Sequence, residues 1–340
     1  MTFNWSHAIS TLLKGGSLEE DEAAAAMVEI MEGAATPAQI AGFVIALRAK
    51  GESTDEMVGL VKTMRHYAAK VRVRGELLDT CGTGGDRAGT FNVSTAAALV
   101  CAGAGVRVAK HGNRAASSRC GSADVLEALG VRIDLPAESV AACIEEAGIG
   151  FCFAPIFHPS MRHAGAPRRE LGVATVFNFL GPLTNPAGAA RQAIGVSDEA
   201  MLDRMVEVLH RLGSRRVLAF HGHAGIDELT VSGPARVVEL DDGRIARWVM
   251  DPAELGFAHA PLEAVAGGTA QENAGHIRAV LGGETGARRD IVVLNAAAGL
   301  VAAGRAAGMA DGVGRAAAAI DDGAAARALD DLVRVSTAGG

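Results

Sequence analysis

The sequence predicts an α/β protein in which a small, mostly helical amino-terminal domain precedes a larger α/β domain with a mainly parallel central sheet flanked by helices. Two patterns favour this fold class. Residues 6–72 carry helix caps and helically spaced apolar residues throughout, whereas from about residue 73 short apolar runs alternate with helical segments. Alternation of this kind is typical of βαβ units, which bring the carboxyl ends of parallel strands to one edge of a sheet.

Three helices are predicted in the amino-terminal region, and each begins at a recognisable cap. The caps are the acidic turn at residues 17–20, Thr36 followed by proline, and Ser53 or Thr54. The apolar faces are formed by Ala23, Met27, Ile30 and Met31, by Ile40, Phe43, Val44 and Leu47, and by Met57, Leu60, Val61 and Met64. Faces rich in alanine and methionine favour a core or a dimer interface over a cofactor site.

The larger domain is predicted from short apolar runs separated by helical segments. Strands are expected at the run ending with Leu77 and Leu78 and at residues 106–109, 131–135, 150–154 and 217–220. Helices are expected at about 96–103, 123–129, after Pro136, at 160–186 and at 198–212, and a polar hairpin is expected from Val237. The run 291–294 fits either a strand or a buried helix, and two alanine-rich helices are expected from Asn295 to about Val333.

The composition argues against two classes of partner. A formal net charge of −7 disfavours a general nucleic-acid binder. The longest apolar stretch is interrupted by glycines and falls far short of the ~20 residues that span a bilayer, and no signal peptide is expected. Five cysteines form no CxxC pair, which favours a reducing, cytoplasmic setting. Cys81 and Cys120 are interpreted as small buried hydrophobes rather than nucleophiles.

A glycine-rich turn follows the first predicted strand and indicates an anion cradle. Gly82, Gly84 and Gly85 fall within four positions, so bare backbone amides can approach a phosphate closely. Residues 90–95 then cap a helix of small residues and add hydroxyls, a side-chain amide and unpaired helix N–H groups to the same corner. A second anion site beside the first is therefore expected.

The next predicted strand leads into a second polar segment, from Lys110 to Ser118. Open α/β sheets bind their ligands at this edge. The glycine spacing is not a dinucleotide fingerprint, since Arg87 stands where the third glycine would fall, and it is not a Walker loop. Alone, such a turn is most often a tight strand-to-helix connection. Two polar strand ends together favour phosphate binding.

Three motifs, Gly82-Thr83-Gly84-Gly85-Asp86, Asn92-Val93-Ser94-Thr95 and Lys110-His111-Gly112-Asn113-Arg114 with Ser117-Ser118, closely resemble in order and spacing the anthranilate phosphoribosyltransferase family of tryptophan biosynthesis. The resemblance extends from residues 36–40 through 177–186 to 295–298. It implies a discontinuous helical domain of residues 1–72 plus about 160–186, an α/β domain of residues 73–159 plus 187–340, and a homodimer formed through the amino-terminal helices.

The resemblance also implies a reaction between 5-phosphoribosyl 1-pyrophosphate, the donor, and anthranilate. Donor binding is expected at Gly82, Gly85, Asp86, Thr90, Asn92, Val93, Ser94, Thr95, Lys110, His111, Gly112, Asn113, Arg114, Ala115, Ala116, Ser117, Ser118 and Ser122. Anthranilate binding is expected at Gly82, His111, Asn113, His158 and Arg168, with Pro155 and Met161 nearby. His111 is interpreted as positioning the amine rather than removing its proton, because an aromatic amine has little tendency to lose a proton before attack.

A divalent metal is expected because charge accumulates on a pyrophosphate leaving group. Asp227 and Glu228 follow a glycine turn at another strand end, and Mg²⁺ takes few protein ligands and several waters. Adjacent acids are also common on solvated surfaces. The resemblance favours the metal role, adds Ser94 as a ligand and implies two Mg²⁺ ions per subunit. Ala174 departs from the family, which usually has arginine there, so a helix-anchoring or inter-domain contact of the family is not expected here.

Two alternative functions fit the sequence less well. A pyrimidine nucleoside phosphorylase shares the architecture and a phosphate loop, but its Lys-x-Ser-Gly-Arg pattern is absent. A non-catalytic relative that binds nucleic acid should lose Asp227 and Glu228 or the glycine loop, and should be strongly basic. This chain does neither.

Overall fold

A computed structural model describes residues 3–115 and 119–338. Its amino-terminal part consists of four helices, α1 Trp5–Leu13, α2 Glu20–Met31, α3 Pro37–Lys50 and α4 Thr54–Tyr67. The predicted caps at Thr36 and Ser53 are confirmed, since each hydroxyl accepts a backbone N–H three residues later and each cap is closed by the side chain of Gln39 or Glu56. Local sequence alone therefore sets where these helices begin.

The apolar stripes of these helices are buried within the chain itself. Met27, Ile30, Phe43 and Leu47 are fully enclosed and share one hydrophobic core with residues of later elements. The stripes thus form core, which was one of the two interpretations, and they are not available for a dimer interface. Two large apolar side chains of this region stay exposed, Leu13 on α1 and Ile45 on α3.

A seven-stranded sheet forms the centre of the larger part. Its strands are β1 Leu78–Gly82, β2 Val108–Gly112, β3 Ile149–Phe153, β4 Arg191–Gly195, β5 Arg216–His221, β6 Ala235–Asp241 and β7 Arg244–Met250. They lie in the order β3-β2-β1-β4-β5-β6-β7. All neighbouring pairs through β5 are parallel, whereas β6 and β7 form an antiparallel hairpin at one edge. The predicted fold class and the predicted hairpin are confirmed.

Helices cover the sheet and connect its strands. In chain order they are α5 Val93–Gly103, α6 Ser122–Ala128, α7 Ala137–Ala147, the short α8 Ala154–Phe157, α9 Arg162–Leu171, the short α10 Phe177–Leu180, α11 Leu202–Arg211, α12 Ala270–Leu281, α13 Ala287–Ala302, α14 Met309–Asp321 and α15 Ala324–Ala338. The helix α13 is buried almost throughout and packs against α5 and α14. No helix in the part of the chain that the structure describes is long and apolar enough to cross a membrane.

Several strand predictions need correction. Strand β2 begins two residues later than predicted and runs to Gly112, so Lys110 and His111 lie within the strand. The predicted strand at 131–135 is wrong: its alternate residues are buried, but the segment pairs with no other strand described. Strand β4 was not predicted, although it pairs with both β1 and β5 at the sheet centre. The run 291–294 lies inside α13, as does Asn295.

Residues after β3 pack back onto the amino-terminal helices. Helix α9 contacts α2 and α3, and α10 contacts α4. Phe177 and Leu180 share a hydrophobic core with these helices, but the same core continues onto one face of the sheet through Ile194 and Val217. The discontinuous domain of residues 1–72 plus about 160–186 therefore stays a proposal, and this packing supports it.

Candidate active site

A cleft with a volume of about 650 Å³ opens at the carboxyl ends of β1 and β2. One wall comes from the glycine turn after β1, the end of β2 and the turn that follows β5. The other wall comes from α4 and from the segment between β3 and β4, including α8, α9 and α10. The cleft thus lies between the helical bundle and the sheet edge where parallel α/β proteins bind ligands.

The glycine turn is held in shape from below by Asp227. The N–H of Gly84 donates to Asp227 Oδ2 at 2.7 Å, and a Cβ at Gly82 would lie 2.2 Å from the same oxygen. Gly84 has a φ of +68°, which side-chain-bearing residues rarely adopt. Ser197, just after β4, adds a hydrogen bond from its Oγ to the Gly84 carbonyl at 2.8 Å. Only glycine at position 82 allows the Asp227 carboxylate to approach this closely.

Asp227 and Glu228 are both about nine-tenths buried at the floor of the cleft. Burial, together with the nearby Asp86 carboxylate, raises the pKa of Asp227 to about 7. Burial and the neighbouring Asp227 raise the pKa of Glu228 well above its ordinary value, and a backbone hydrogen bond from Ser94 opposes that rise. A cation bound between two such carboxylates would offset the cost of enclosing them together.

The oxygen donors here fit Mg²⁺. Ser94 lines the same cleft and bonds Glu228 through its backbone N–H, and hard cations prefer oxygen ligands such as its hydroxyl. Among residues 3–115 and 119–338, no group of three or more His, Cys, Asp or Glu side chains is placed to hold a metal. Two carboxylates and a hydroxyl suit a cation that keeps several waters and binds substrate phosphates, as Mg²⁺ usually does.

Lys110 brings a buried positive charge to the same floor. Its Nζ donates to the Thr80 carbonyl at 2.6 Å and to Ser94 Oγ at 3.3 Å, and the residue is almost fully buried. Burial lowers the pKa of Lys110, while the negative charges of Asp79 and Glu228 oppose the shift. A fixed ammonium beside an anion cradle attracts phosphate strongly, because little water competes for it.

Two neutral histidines, His111 on β2 and His158 between β3 and β4, also line the cleft. The ring centres of His111 and His158 are 5.1 Å apart. Burial, reinforced by His158, lowers the pKa of His111 to about 3, and burial lowers the pKa of His158 to about 4. Neither Nε2 atom has a hydrogen-bond partner in the described structure, although both atoms are buried. Each ring therefore keeps one nitrogen whose hydrogen bond is not satisfied by the described residues.

Arg168 on α9 lines the same cleft. Its guanidinium carbon sits 5.3 Å from the centre of the Phe177 ring, and burial lowers its pKa. The structure gives its side chain no ion pair and no hydrogen bond within residues 3–115 and 119–338. A partly desolvated arginine of this kind suits a ligand carboxylate.

Comparison with known proteins assigns the family. Residues 74–326 match the a/b domain of the glycosyl transferase family, and residues 6–68 match its helical bundle domain. The anthranilate phosphoribosyltransferase of Pelotomaculum thermopropionicum is 54% identical over 301 residues, which cover 88% of this chain and 87% of that protein. The chain belongs to the anthranilate phosphoribosyltransferase family. It is therefore an enzyme of the transferase class, as predicted.

Solved structures of anthranilate phosphoribosyltransferases share the fold. The Thermus thermophilus structure has a TM-score of 0.92 with 48% identity and covers 97% of this chain and 99% of its own. The Saccharomyces cerevisiae structure, in complex with PRPP and Mg, has a TM-score of 0.89 with 25% identity and covers 98% of both chains. The structure at 48% identity and the structure at 25% identity therefore both share the fold of this chain and belong to the same family.

Most residues expected from the family's motifs reach the cleft. Its lining includes Gly82, Gly85, Asn92, Ser94, Lys110, His111, Gly112, Asn113, Arg114, Ala115, Ser122, His158, Arg168, Asp227 and Glu228, together with Pro155 and Met161. Arg114 is partly engaged elsewhere, since its guanidinium pairs with Asp124 and Glu127. Ala116, Ser117 and Ser118 lie outside the described residues.

Other expected donor residues do not line the cleft. Val93 and Thr95 are buried behind it, Thr90 forms an isolated bridge with Ala266, and Asp86 lies under the glycine turn near Asp227. Asn92 lines the cleft, but its amide already binds the Cys120 carbonyl and Asn273. Direct donor contact is therefore better supported for the glycine turn, Ser94 and Lys110.

Sequence reasoning missed residues that act from outside the family's motifs. Ser197 fastens the glycine turn through the Gly84 carbonyl, and Asn273 on α12 donates to Asn92 Oδ1 at 2.9 Å. Phe177 and Thr184 line the cleft within a motif that was recognised but given no role. The amide-bearing side chains offered a weak signal, because a buried asparagine needs partners, but their partners are distant in sequence.

A second, smaller cavity of about 330 Å³ lies at the opposite edge of the sheet. Arg107, Arg191 and Arg305 line it, and Arg191 is paired there with Glu76. The carboxyl ends of α5 and α13 reach the same place, where carbonyl groups attract cations. None of the predicted site residues that the structure describes lies in this cavity.

Proposed function

We propose that the chain transfers the 5-phosphoribosyl group from 5-phosphoribosyl 1-pyrophosphate to the amine of anthranilate. The products are N-(5-phosphoribosyl)anthranilate and pyrophosphate, and the reaction belongs to L-tryptophan biosynthesis in the cytoplasm. One observation carries the proposal: a single cleft joins an anion cradle and a buried lysine to a partly desolvated arginine and two neutral histidines. The reaction needs both groups of residues, since a phosphorylated sugar must meet an aromatic carboxylate.

The donor is assigned to the wall formed by the glycine turn, Ser94 and Lys110. The backbone N–H of Gly85 suits a phosphate oxygen, whereas that of Gly84 already donates to Asp227, and Lys110 supplies a fixed charge. These groups are preorganised, so they need little rearrangement as negative charge develops on the leaving group.

Ser94, Asp227 and Glu228 are assigned to Mg²⁺, with two ions per subunit. The bound metal supplies neutralisation of the charge that collects on the departing pyrophosphate. Asp227 also shapes the glycine turn through its hydrogen bond with Gly84. The same carboxylate thus connects the metal site to the anion cradle.

Anthranilate is assigned to Asn113, His158, Arg168 and His111, which all line the cleft. Arg168 pairs with the carboxylate in a charge-assisted contact, and the Phe177 ring beneath it keeps water away. His111 and His158 are uncharged at neutral pH, because their pKa values are about 3 and 4. A base this weak removes few protons, so His111 positions the amine by hydrogen bonding while binding brings the amine to the sugar carbon.

The chain is further proposed to be a homodimer through its amino-terminal helices. The apolar stripes that motivated this idea lie inside the chain, so the proposal rests instead on exposed Leu13 and Ile45, which lie on the neighbouring helices α1 and α3. Apolar residues exposed on adjacent elements favour contact with a second copy.

A substrate comparison tests the function. Purified protein is incubated with Mg²⁺ and either the donor plus anthranilate, thymidine plus phosphate, or double-stranded DNA at low salt. The proposal predicts formation of N-(5-phosphoribosyl)anthranilate in the first mixture alone. Cleavage of thymidine would favour the nucleoside phosphorylase alternative, and salt-sensitive DNA binding without turnover would favour the nucleic-acid-binding alternative.

A further inference from the structure

We infer that Asn295, a buried asparagine on α13, is a positioning residue for the acidic pair Asp227 and Glu228. Its side chain fixes the backbone of Leu229, the residue that follows the pair. The inference rests on the proposed function, because that function assigns the two acids to the metal.

Asn295 binds Leu229 through both of its polar atoms. The N–H of Leu229 donates to Asn295 Oδ1 at 3.0 Å, and Asn295 Nδ2 donates to the Leu229 carbonyl at 2.7 Å. The same Nδ2 also donates to the carbonyl of Ile291, one turn earlier on α13, at 2.8 Å. Asn295 is 3% exposed, so water does not compete for these bonds. The Asn295 amide thus forms with the Leu229 backbone the two hydrogen bonds that a neighbouring strand would otherwise form.

The acidic pair lacks the support that regular structure gives elsewhere. Residues 226–234 belong to no helix and no strand, so no ladder of backbone bonds fixes Asp227 and Glu228. The N–H that Asn295 accepts belongs to the peptide joining Glu228 to Leu229. Holding that peptide restricts the backbone rotation that aims the Glu228 carboxylate.

The opposite side of the pair is limited by β4. A Cβ at Gly195 would lie 1.5 Å from the Asp227 carbonyl, so the backbone of the pair packs directly on that strand. Asp227 is thus confined on one side by β4, and Leu229 is confined on the other by Asn295. Asn295 does not line the cleft, so its effect on a ligand passes through this backbone.

Metal binding without substrates tests the inference. The probe is Mn²⁺ alone, and its electron paramagnetic resonance signal measures the concentration of unbound ion. In Asn295→Ala the dissociation constant for Mn²⁺ should rise about 10- to 100-fold, the range seen when the outer support of a metal ligand is lost. Asn295→Asp keeps the acceptor for the Leu229 N–H and should show a smaller rise. The Mg²⁺ concentration that gives half-maximal transfer should rise in parallel, with the KM for anthranilate unchanged.

Val293→Ala is the matched control. Val293 is equally buried on the same helix, so its truncation weakens α13 packing but removes no hydrogen bond to Leu229. Its Mn²⁺ affinity should equal that of the wild type, even where the midpoint temperature of unfolding falls.

Two results would refute the inference, and a third would refute the proposed function on which it rests. Wild-type Mn²⁺ affinity in Asn295→Ala, with stability lowered as in Val293→Ala, would show that Asn295 serves only the fold. Failure of both Asn295 variants to fold would likewise assign Asn295 to the fold alone. A wild type that binds Mn²⁺ but transfers nothing to anthranilate would refute the proposed function, which the binding data alone do not address.

Discussion

Replacing Arg168 by alanine should weaken anthranilate binding and leave donor binding almost unchanged. The guanidinium lies over Phe177, burial lowers its pKa, and its side chain makes no ion pair or hydrogen bond in the described structure. A ligand carboxylate would supply the missing partner. A charge-assisted hydrogen bond of this kind contributes about 1.5–3 kcal/mol.

That free energy corresponds to a rise of roughly 10- to 150-fold in the KM for anthranilate. The free energy of unfolding should hardly fall, because alanine removes a partly buried charge that has no partner. Arg168→Lys keeps the charge but loses the planar fork, so its KM should lie between those of the wild type and Arg168→Ala.

Steady-state kinetics with each substrate varied in turn provides the assay. Arg169→Ala is the control, since Arg169 is the next residue on α9 and lines the same cleft but is exposed. An equal loss of affinity for donor and anthranilate in Arg168→Ala, or the same loss in Arg169→Ala, would refute the reasoning.

Three further predictions concern the metal, a histidine and the assembly. Joint replacement of Asp227 by Asn and Glu228 by Gln should lower turnover about 10²- to 10³-fold at any Mg²⁺ concentration, and near-normal turnover at limiting Mg²⁺ would reduce the pair to a structural turn. His158 has a folded-state pKa of about 4 against an ordinary 6.5, so the unfolded chain binds more protons between these values and stability falls as pH falls. Between about pH 7 and pH 5, the free energy of unfolding measured by denaturant titration should therefore fall by about 2 kcal/mol less in His158→Asn than in the wild type. The same pH dependence of stability in both proteins would contradict this. Light scattering should give the molar mass of a dimer for the wild type and of a monomer for the double variant Leu13→Glu, Ile45→Glu. A wild-type monomer at micromolar concentration would contradict the proposed homodimer.

Local signals in the sequence predicted the helices better than the strands. A cap and its reciprocal side chain lie three residues apart, so Thr36 and Ser53 located the starts of α3 and α4 without tertiary information. A strand depends on distant partners. The alternating segment 131–135 has one buried face but no pairing strand, whereas β4, with the sequence Arg-Gln-Ala-Ile-Gly, has a weak apolar pattern and lies at the sheet centre.

In the site too, local sequence patterns were predictable and contacts between distant residues were not. Glycine, lysine and histidine motifs are compact in sequence, so the chain itself indicated the anion cradle and the neighbouring polar strand end. The contact between Gly84 and Asp227 joins residues 143 positions apart, and Asn295 lies 66 positions from Leu229. Such contacts leave no spacing pattern, because the fold alone brings them together. Burial was equally hidden, and it is burial that lowers the pKa of His111 and favours positioning over proton removal.

Anthranilate fluorescence, followed together with pyrophosphate release, tests the central claim most directly. On mixing the protein with donor, anthranilate and Mg²⁺, the fluorescence of anthranilate should fall with time, and one pyrophosphate should appear for each anthranilate consumed. Omission of donor or Mg²⁺ should abolish both signals. Pyrophosphate release without loss of anthranilate, or no change in either signal with folded protein, would contradict the account.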